Sequence, residues 1–220
     1  ASVEEFAASR PFPITDLLVN PADGAMYVAY GGRRVQSGLY RITYVGDEST
    51  APAKPVRQGE TERKTRRSLE AFLQEGAKVA SSSEIDFIWK SLGSNDRGIR
   101  HAARVALEKQ SAKTWKDRLA AEANPVTSTA AMIALARVDS EGSASEIIAK
   151  ATSLDYTKTK SRQIRLDILR SVTLSLTRGG QPNVSDRAKL IKWLDGIYPA
   201  RTPDENRDLS AMAAFLKAPF

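Results

Sequence analysis

The feature that most constrains this chain is a repeated hexapeptide. Ala102-Ala103-Arg104-Val105-Ala106-Leu107 is answered 28 residues later by Ala130-Ala131-Met132-Ile133-Ala134-Leu135, an A-A-x-x-A-L pattern in both copies. At helical spacing, small residues let two helix backbones approach closely while Leu and Ile fill the remaining space, which is what stacked helical hairpins require. Upstream, Asp96, Ile99 and Arg100 extend the first copy to D-x-x-I-R-x-A-A-x-x-A-L, and Ile164-Arg165 recurs ahead of Leu166, Ile168 and Leu169. Asp96 is placed to cap a helix N-terminus, and Arg100, one turn further on, to bridge to the adjacent repeat.

The same grammar runs through most of the chain. From about residue 65 the apolar spacing stays near 3.6, which predicts helices separated by short polar breaks. Leu69, Phe72 and Leu73 mark the first, over 68–75. Ser83 is the expected cap of a second, whose stripe is Ile85, Ile88, Trp89 and Leu92. Further helices are expected over 96–110, 112–123, 126–138, 143–153, 161–177, 185–197 and 203–216, about nine in all.

The front of the chain follows a different period. Leu17-Leu18-Val19 and Ala25-Met26-Tyr27-Val28-Ala29-Tyr30 flank Asn20-Pro21-Ala22-Asp23-Gly24, and Asp-Gly between apolar runs signals a hairpin. After a second break at Gly31-Gly32-Arg33-Arg34, the run Gly38 to Val45 is rich in β-branched and aromatic residues. A three-stranded antiparallel meander is therefore expected within residues 1–45. Residues 46–64 have linker composition, and the helical domain spans 65–220. So small a sheet must cover its apolar face against something else, so the front reads as cut from a larger domain. The expected class is mainly α: an α-solenoid of about nine helices preceded by a short β-meander.

Two resemblances follow from these residues. The D-x-x-I-R-x-A-A run resembles the second helix of a HEAT repeat, although 28 residues is shorter than the usual period. The front segment, from Pro13-Ile14-Thr15-Asp16-Leu17 through Pro21-Ala22-Asp23-Gly24 to Gly38-Leu39-Tyr40-Arg41-Ile42, resembles a terminal blade of a sorbosone/glucose-dehydrogenase-like β-propeller. Together with Arg66-Arg67-Ser68-Leu69-Glu70-Ala71-Phe72 and the helices that follow, the chain resembles the middle of large secreted proteins of planctomycete-type bacteria. Those proteins join propeller, HEAT-like and cytochrome c domains. The resemblance implies an extracytoplasmic location, with haem c and a quinone cofactor belonging to the parent protein. This chain would then be a connecting scaffold whose partners are neighbouring domains of the same polypeptide or other proteins.

The residues carry little catalytic chemistry. The chain has no cysteine, which excludes disulfides, thiolate metal sites, thiol nucleophiles and a C-x-x-C-H haem attachment within it. His101 is the single histidine, and it has no base or acid partner at a telling spacing. The carboxylate pairs Glu4-Glu5, Asp47-Glu48 and Asp204-Glu205 fall near ends or in linker-like stretches, where ordinary pKa values are expected. Neither phosphate-cradling glycine motifs nor a calcium loop occurs. No run is apolar and long enough to cross a bilayer, and the first residues lack the basic-then-apolar order of a signal peptide.

A net charge of +7 favours anionic partners, although acids are interleaved with the bases throughout. Arg63, Lys64, Arg66 and Arg67 form the densest basic stretch, and with Arg100 and Arg104 they are the candidate interaction residues. Trp89, Trp115 and Trp193 fit core positions at helical spacing. They also admit a stacking groove, as in HEAT-like alkylpurine DNA glycosylases. Asn183 of the Asn183-Val184-Ser185 sequon is expected in a turn at a helix start. The expected function is a non-catalytic scaffold, with a basic nucleic-acid-binding module as the alternative.

Overall fold

The computed structural model describes residues 5–49, 51, 58–74, 76 and 78–219. Glu4, residues 52–57 of the expected linker and Glu75 at the expected end of the first helix lie outside the described residues. The chain divides into two compact units, Ala1–Arg57 and Gln58–Phe220.

The first unit holds a sheet of three antiparallel strands in the order β1 (Ile14–Val19), β2 (Met26–Gly32) and β3 (Val35–Ile42). Gly24 takes the positive φ of 66° that the first turn needs, and Asn20 O accepts its N–H at 2.8 Å. Asp23 secures that turn: it accepts from Ala25 N at 3.0 Å, from the Tyr27 hydroxyl at 3.0 Å and from Arg41 at 3.2 Å. These bonds, the one from Ala25 N foremost, hold its carboxyl below the usual range. Gly31 and Gly32 continue β2, so the second turn falls on Arg33 and Arg34, the latter at φ 66°.

The register places Leu17 and Val19 opposite Val28 and Met26, and these opposite Tyr40 and Ile42. One face is thus continuously apolar. Gly38 pairs with Tyr30, whose ring lies so close that a Cβ at Gly38 would come within 2.5 Å of it. That space lets Tyr30 stack on Tyr40 at 5.0 Å, with Phe12 edge-on at 5.7 Å from Tyr40.

The second unit is helical, with nine α-helices among the described residues: α1 (Glu60–Glu70), α2 (Ser82–Ser91), α3 (Arg97–Glu108), α4 (Arg118–Ala121), α5 (Pro125–Val138), α6 (Ala144–Ser153), α7 (Arg162–Gly179), α8 (Val184–Asp195) and α9 (Pro203–Phe215). Helix α1 begins inside the expected linker, because Gly59 at φ 76° turns the chain into it. Ser81, rather than Ser83, caps α2, in a reciprocal pair with Glu84. The expected helix over 112–123 is instead a short 3₁₀ turn followed by the single-turn α4.

Helices α1, α3, α5, α7 and α9 are successive neighbours, and α2, α4, α6 and α8 pack beside them. The buried faces are the small and aliphatic positions of the repeat. Ala102, Ala103, Ala106 and Leu107 of α3 and Ala131, Met132, Ala134 and Leu135 of α5 are all buried, joined by Ile168, Leu169 and Val172 of α7. Polar bridges lace the second row together: Arg118 to Asp86 at 2.5 Å, Lys116 to Glu146 at 3.4 Å and Ser145 to Asp186 at 2.5 Å.

A further regularity is not visible as sequence identity. The N-caps of the first-row helices are Gly59, Asp96, Asn124, Ser161 and Thr202, at intervals of 37, 28, 37 and 41 residues. In each helix the fourth residue reaches back to a carbonyl of the loop before it. Arg63 donates to Gln58 O at 2.7 Å, Arg100 to Ser94 O at 2.6 Å, Ser128 to Glu122 O at 3.4 Å, Arg165 to Thr159 O at 2.7 Å and Asn206 to Ala200 O at 3.1 Å. Each tie gives a loop carbonyl a side-chain donor. Arg100 therefore ties down its own loop rather than bridging to the adjacent repeat. Where the short side chain of Ser128 stands in for an arginine, buried Lys150 of α6 comes across to Glu122 O as well. The short interval of 28 falls where α4 has a single turn, and the fully buried Trp115 fills the space there.

Candidate functional site

The exposed side of the first row forms a groove. On α3, Arg97, His101 and Arg104 stand at i, i+4 and i+7, so they share one stripe opposite the buried alanines. On α5, Val126, Ala130 and Ile133 form a low aliphatic floor. On α7, Gln163, Asp167 and Arg170 make the facing wall. Two cavities of about 400 and 720 Å³ share Arg97, Gln163 and Asp167, and the larger continues to Arg207 and Asp208 of α9.

The charges here are unevenly matched. Arg104 is ion-paired with Glu108, which also accepts from Arg137 Nε at 2.9 Å, and Arg104 lies 3.4 Å from His101 Nδ1. Arg97 and Arg170 are exposed and form no hydrogen bond or ion pair with described residues. Asp167 is half-buried. That burial raises its pKa above the ordinary carboxylate value, against a hydrogen bond from Gln163 at 2.9 Å and the charges of Arg170 and Arg100. The groove therefore has two guanidinium groups without a hydrogen bond or ion pair to a described residue, and a half-buried carboxylate, Asp167, whose hydrogen bond comes from an amide.

The six residues singled out from the sequence fall in two places. Arg100 and Arg104 line the groove. Arg63, Lys64, Arg66 and Arg67 lie on α1, where Arg63 ties the helix start and Arg66 pairs with Glu70 at 3.1 Å. Arg63 and Arg66 flank a separate hollow beside Asn95 and Asp96. Lys64 and Arg67 are exposed. Sequence reasoning missed Arg97, Arg170 and Asp167. The i, i+4, i+7 stripe of α3 would have found Arg97, whereas Arg170 and Asp167 depend on α7 lying across from it.

The tryptophans do not line this groove. Trp115 is 1% exposed, Trp89 donates to Glu122 at 2.7 Å and lies 6.4 Å from Trp115, and Trp193 stands edge-on to Tyr156. Asn183 caps α8 by accepting from Asp186 N at 2.9 Å. No three His, Asp or Glu side chains among the described residues converge on a common metal position.

The Asp204–Glu205 pair departs most from its expected exposure. Glu205 is fully buried. It accepts from Arg165 Nε at 2.5 Å, from Tyr156 at 3.1 Å and from the Thr202 hydroxyl at 2.6 Å. Burial opposes its charge, but the bonds from Arg165, Thr202 and Tyr156 outweigh it and the pKa falls below the usual value. Burial and the Glu205 charge push the Tyr156 phenol up. The Arg165–Glu205 pair joins α7 to α9. Asp204, also held below its ordinary value, accepts from the Thr202 hydroxyl and pairs with Arg162.

Comparison of the chain with protein-family models, with curated proteins and with solved structures finds no match.

Proposed function

We propose that the helical unit is a HEAT-like α-solenoid and that the chain is a non-catalytic scaffold and protein-interaction arm. It would serve a larger, extracytoplasmic multidomain protein with a redox role, whose haem c and quinone chemistry would reside in other domains. The observation that carries the solenoid reading is the fourth-residue tie, repeated in five successive first-row helices. Three of the four N-cap intervals, 37, 37 and 41, lie close to the roughly 40–47 residues of HEAT-type repeats. Repeat stacks of this kind expose a long face to partners, and here that face is the groove.

The redox parentage rests on the resemblance of the front segment and the helices that follow it. The ultraviolet–visible spectra of the complete parent and of this chain, both made in a host able to attach haem, test it. A Soret band in the parent alone is expected, and no band in either removes the redox assembly.

The basic groove favours a second reading, nucleic-acid binding. Fluorescence anisotropy of labelled single- and double-stranded DNA separates the two. Sub-micromolar affinity that falls steeply with salt supports the second reading, and no binding at low salt removes it.

A further inference from the structure

We propose that the groove between α3 and α7 takes an acidic segment of a separate polypeptide, with an aliphatic side chain of that segment seated on α5. This rests on the scaffold reading and names its partner chemistry. Arg97 and Arg170 line the larger cavity from α3 and α7 without a hydrogen bond or ion pair to a described residue, although the Arg170 charge acts on Asp167, and Arg100 and Arg104 line the smaller cavity beside Arg97. In the smaller cavity Val126, Ala130 and Ile133 give a mainly aliphatic floor, and Thr129 beside them donates its hydroxyl back to Pro125 O at 2.9 Å. Carboxylates flanking an aliphatic residue satisfy both features at once: charge-assisted bonds at the walls and apolar burial on the floor.

Two observations favour a peptide over a nucleic acid. The floor has no aromatic side chain on which a base could stack, because all three tryptophans are engaged elsewhere. Asp167, with Asp204 and Asp208 further along, interrupts the basic lining. A uniformly charged phosphate backbone would be repelled there, whereas a peptide can place an uncharged or basic residue. The net charge of +7 also works against a second copy of this chain as the occupant.

The test titrates a fluorescein-labelled Glu-Glu-Leu repeat peptide into the full chain, beside its Lys-Lys-Leu counterpart and a single-stranded oligonucleotide. The acidic peptide is expected to bind and the basic one not to bind. Reversing both charges, Arg97→Glu with Arg170→Glu, is expected to weaken binding by about tenfold or more. Asp167→Asn, which removes the carboxylate that both cavities share, is expected to tighten it. Circular dichroism melts confirm that each variant is folded.

No binding of the acidic peptide, or binding that ignores both variants, overturns the proposal. If the oligonucleotide also fails to bind, only the ligand class is wrong and the scaffold reading stands. Tighter binding of the oligonucleotide overturns both readings. Dimerisation in sedimentation runs that the double variant abolishes would assign the groove to a second copy instead.

Discussion

The sheet and the helical unit use apolar residues in opposite ways. Among the described residues of the first unit, Ala25 and Val28 are the only buried apolar ones, while Leu17, Leu18, Val19 and Leu39 are each more than half exposed. In the helical unit Leu107 of α3, Leu135 of α5 and Ile168 and Leu169 of α7 are completely buried. A single layer of strands cannot cover its own two faces, whereas two rows of helices cover one another. The sheet is held by what lies within it: backbone pairing, the Tyr30–Tyr40 stack over Gly38, and the Asp23–Tyr27–Arg41 network. The helical unit is held by packing and by the recurrent loop ties.

This contrast can be tested because the two units carry different chromophores. All three tryptophans lie beyond Gln58, so tryptophan fluorescence reports the helical unit alone. The largest effect is expected from Glu205→Ala, which leaves Arg165 buried without its counter-charge and should cost about 3–5 kcal/mol in tryptophan-monitored denaturation. A loss under about 1 kcal/mol would mean that water reaches Arg165 readily.

The same pair predicts a pH dependence. Glu205 has a lowered pKa in the folded chain, so its contribution is present above the ordinary carboxylate value and is lost as pH falls through the folded value. Wild type should therefore lose stability in acid faster than Glu205→Gln, whose midpoint should change less below about pH 5. Parallel acid curves would place the sensitivity elsewhere.

Truncating one leucine in each unit sharpens the comparison. Leu135→Ala in α5 opens a cavity in a fully packed site and should cost about 2–5 kcal/mol. Leu17→Ala, at 57% exposure in β1, should stay within about 0.5 kcal/mol. Comparable losses would show that the sheet's apolar face is covered in solution. Removing the cap of α3 with Asp96→Ala is expected to cost about 1 kcal/mol, read from chemical denaturation. Smallest of all, deletion of residues 1–57 should leave the cooperative tryptophan transition in place, since α1 and its Gly59 and Gln58 anchors remain. Loss of cooperativity would join the two units into one folding domain.

Much of the fold was legible because periodicity is local. Asp23-Gly24 between two apolar runs marked the hairpin, and the apolar stripes marked most of the helices, with Asp96 and Asn183 as caps and the cap of α2 two residues off. The expected helix over 112–123 failed because Trp115, Leu119 and the alanines have helical spacing while tertiary packing pulls Trp115 inward and breaks the backbone around it. The site was half legible: Arg100 and Arg104 were marked by the repeat, but Arg97 lay just outside it.

By itself, the sequence determined the two periods, the place where they change, and which faces of the helices are apolar, since those depend on spacing within a few residues. Tertiary structure alone decided which helices face one another. From that follow the pairing of Arg165 with Glu205 across 40 residues and the reach of Lys150 to the loop before α5. The meeting of Arg97 of α3 and Arg170 of α7 at one cavity has the same origin. The charge of a side chain is written in the sequence, but whether it is buried, paired or left facing a groove depends on neighbours brought in from elsewhere in the chain.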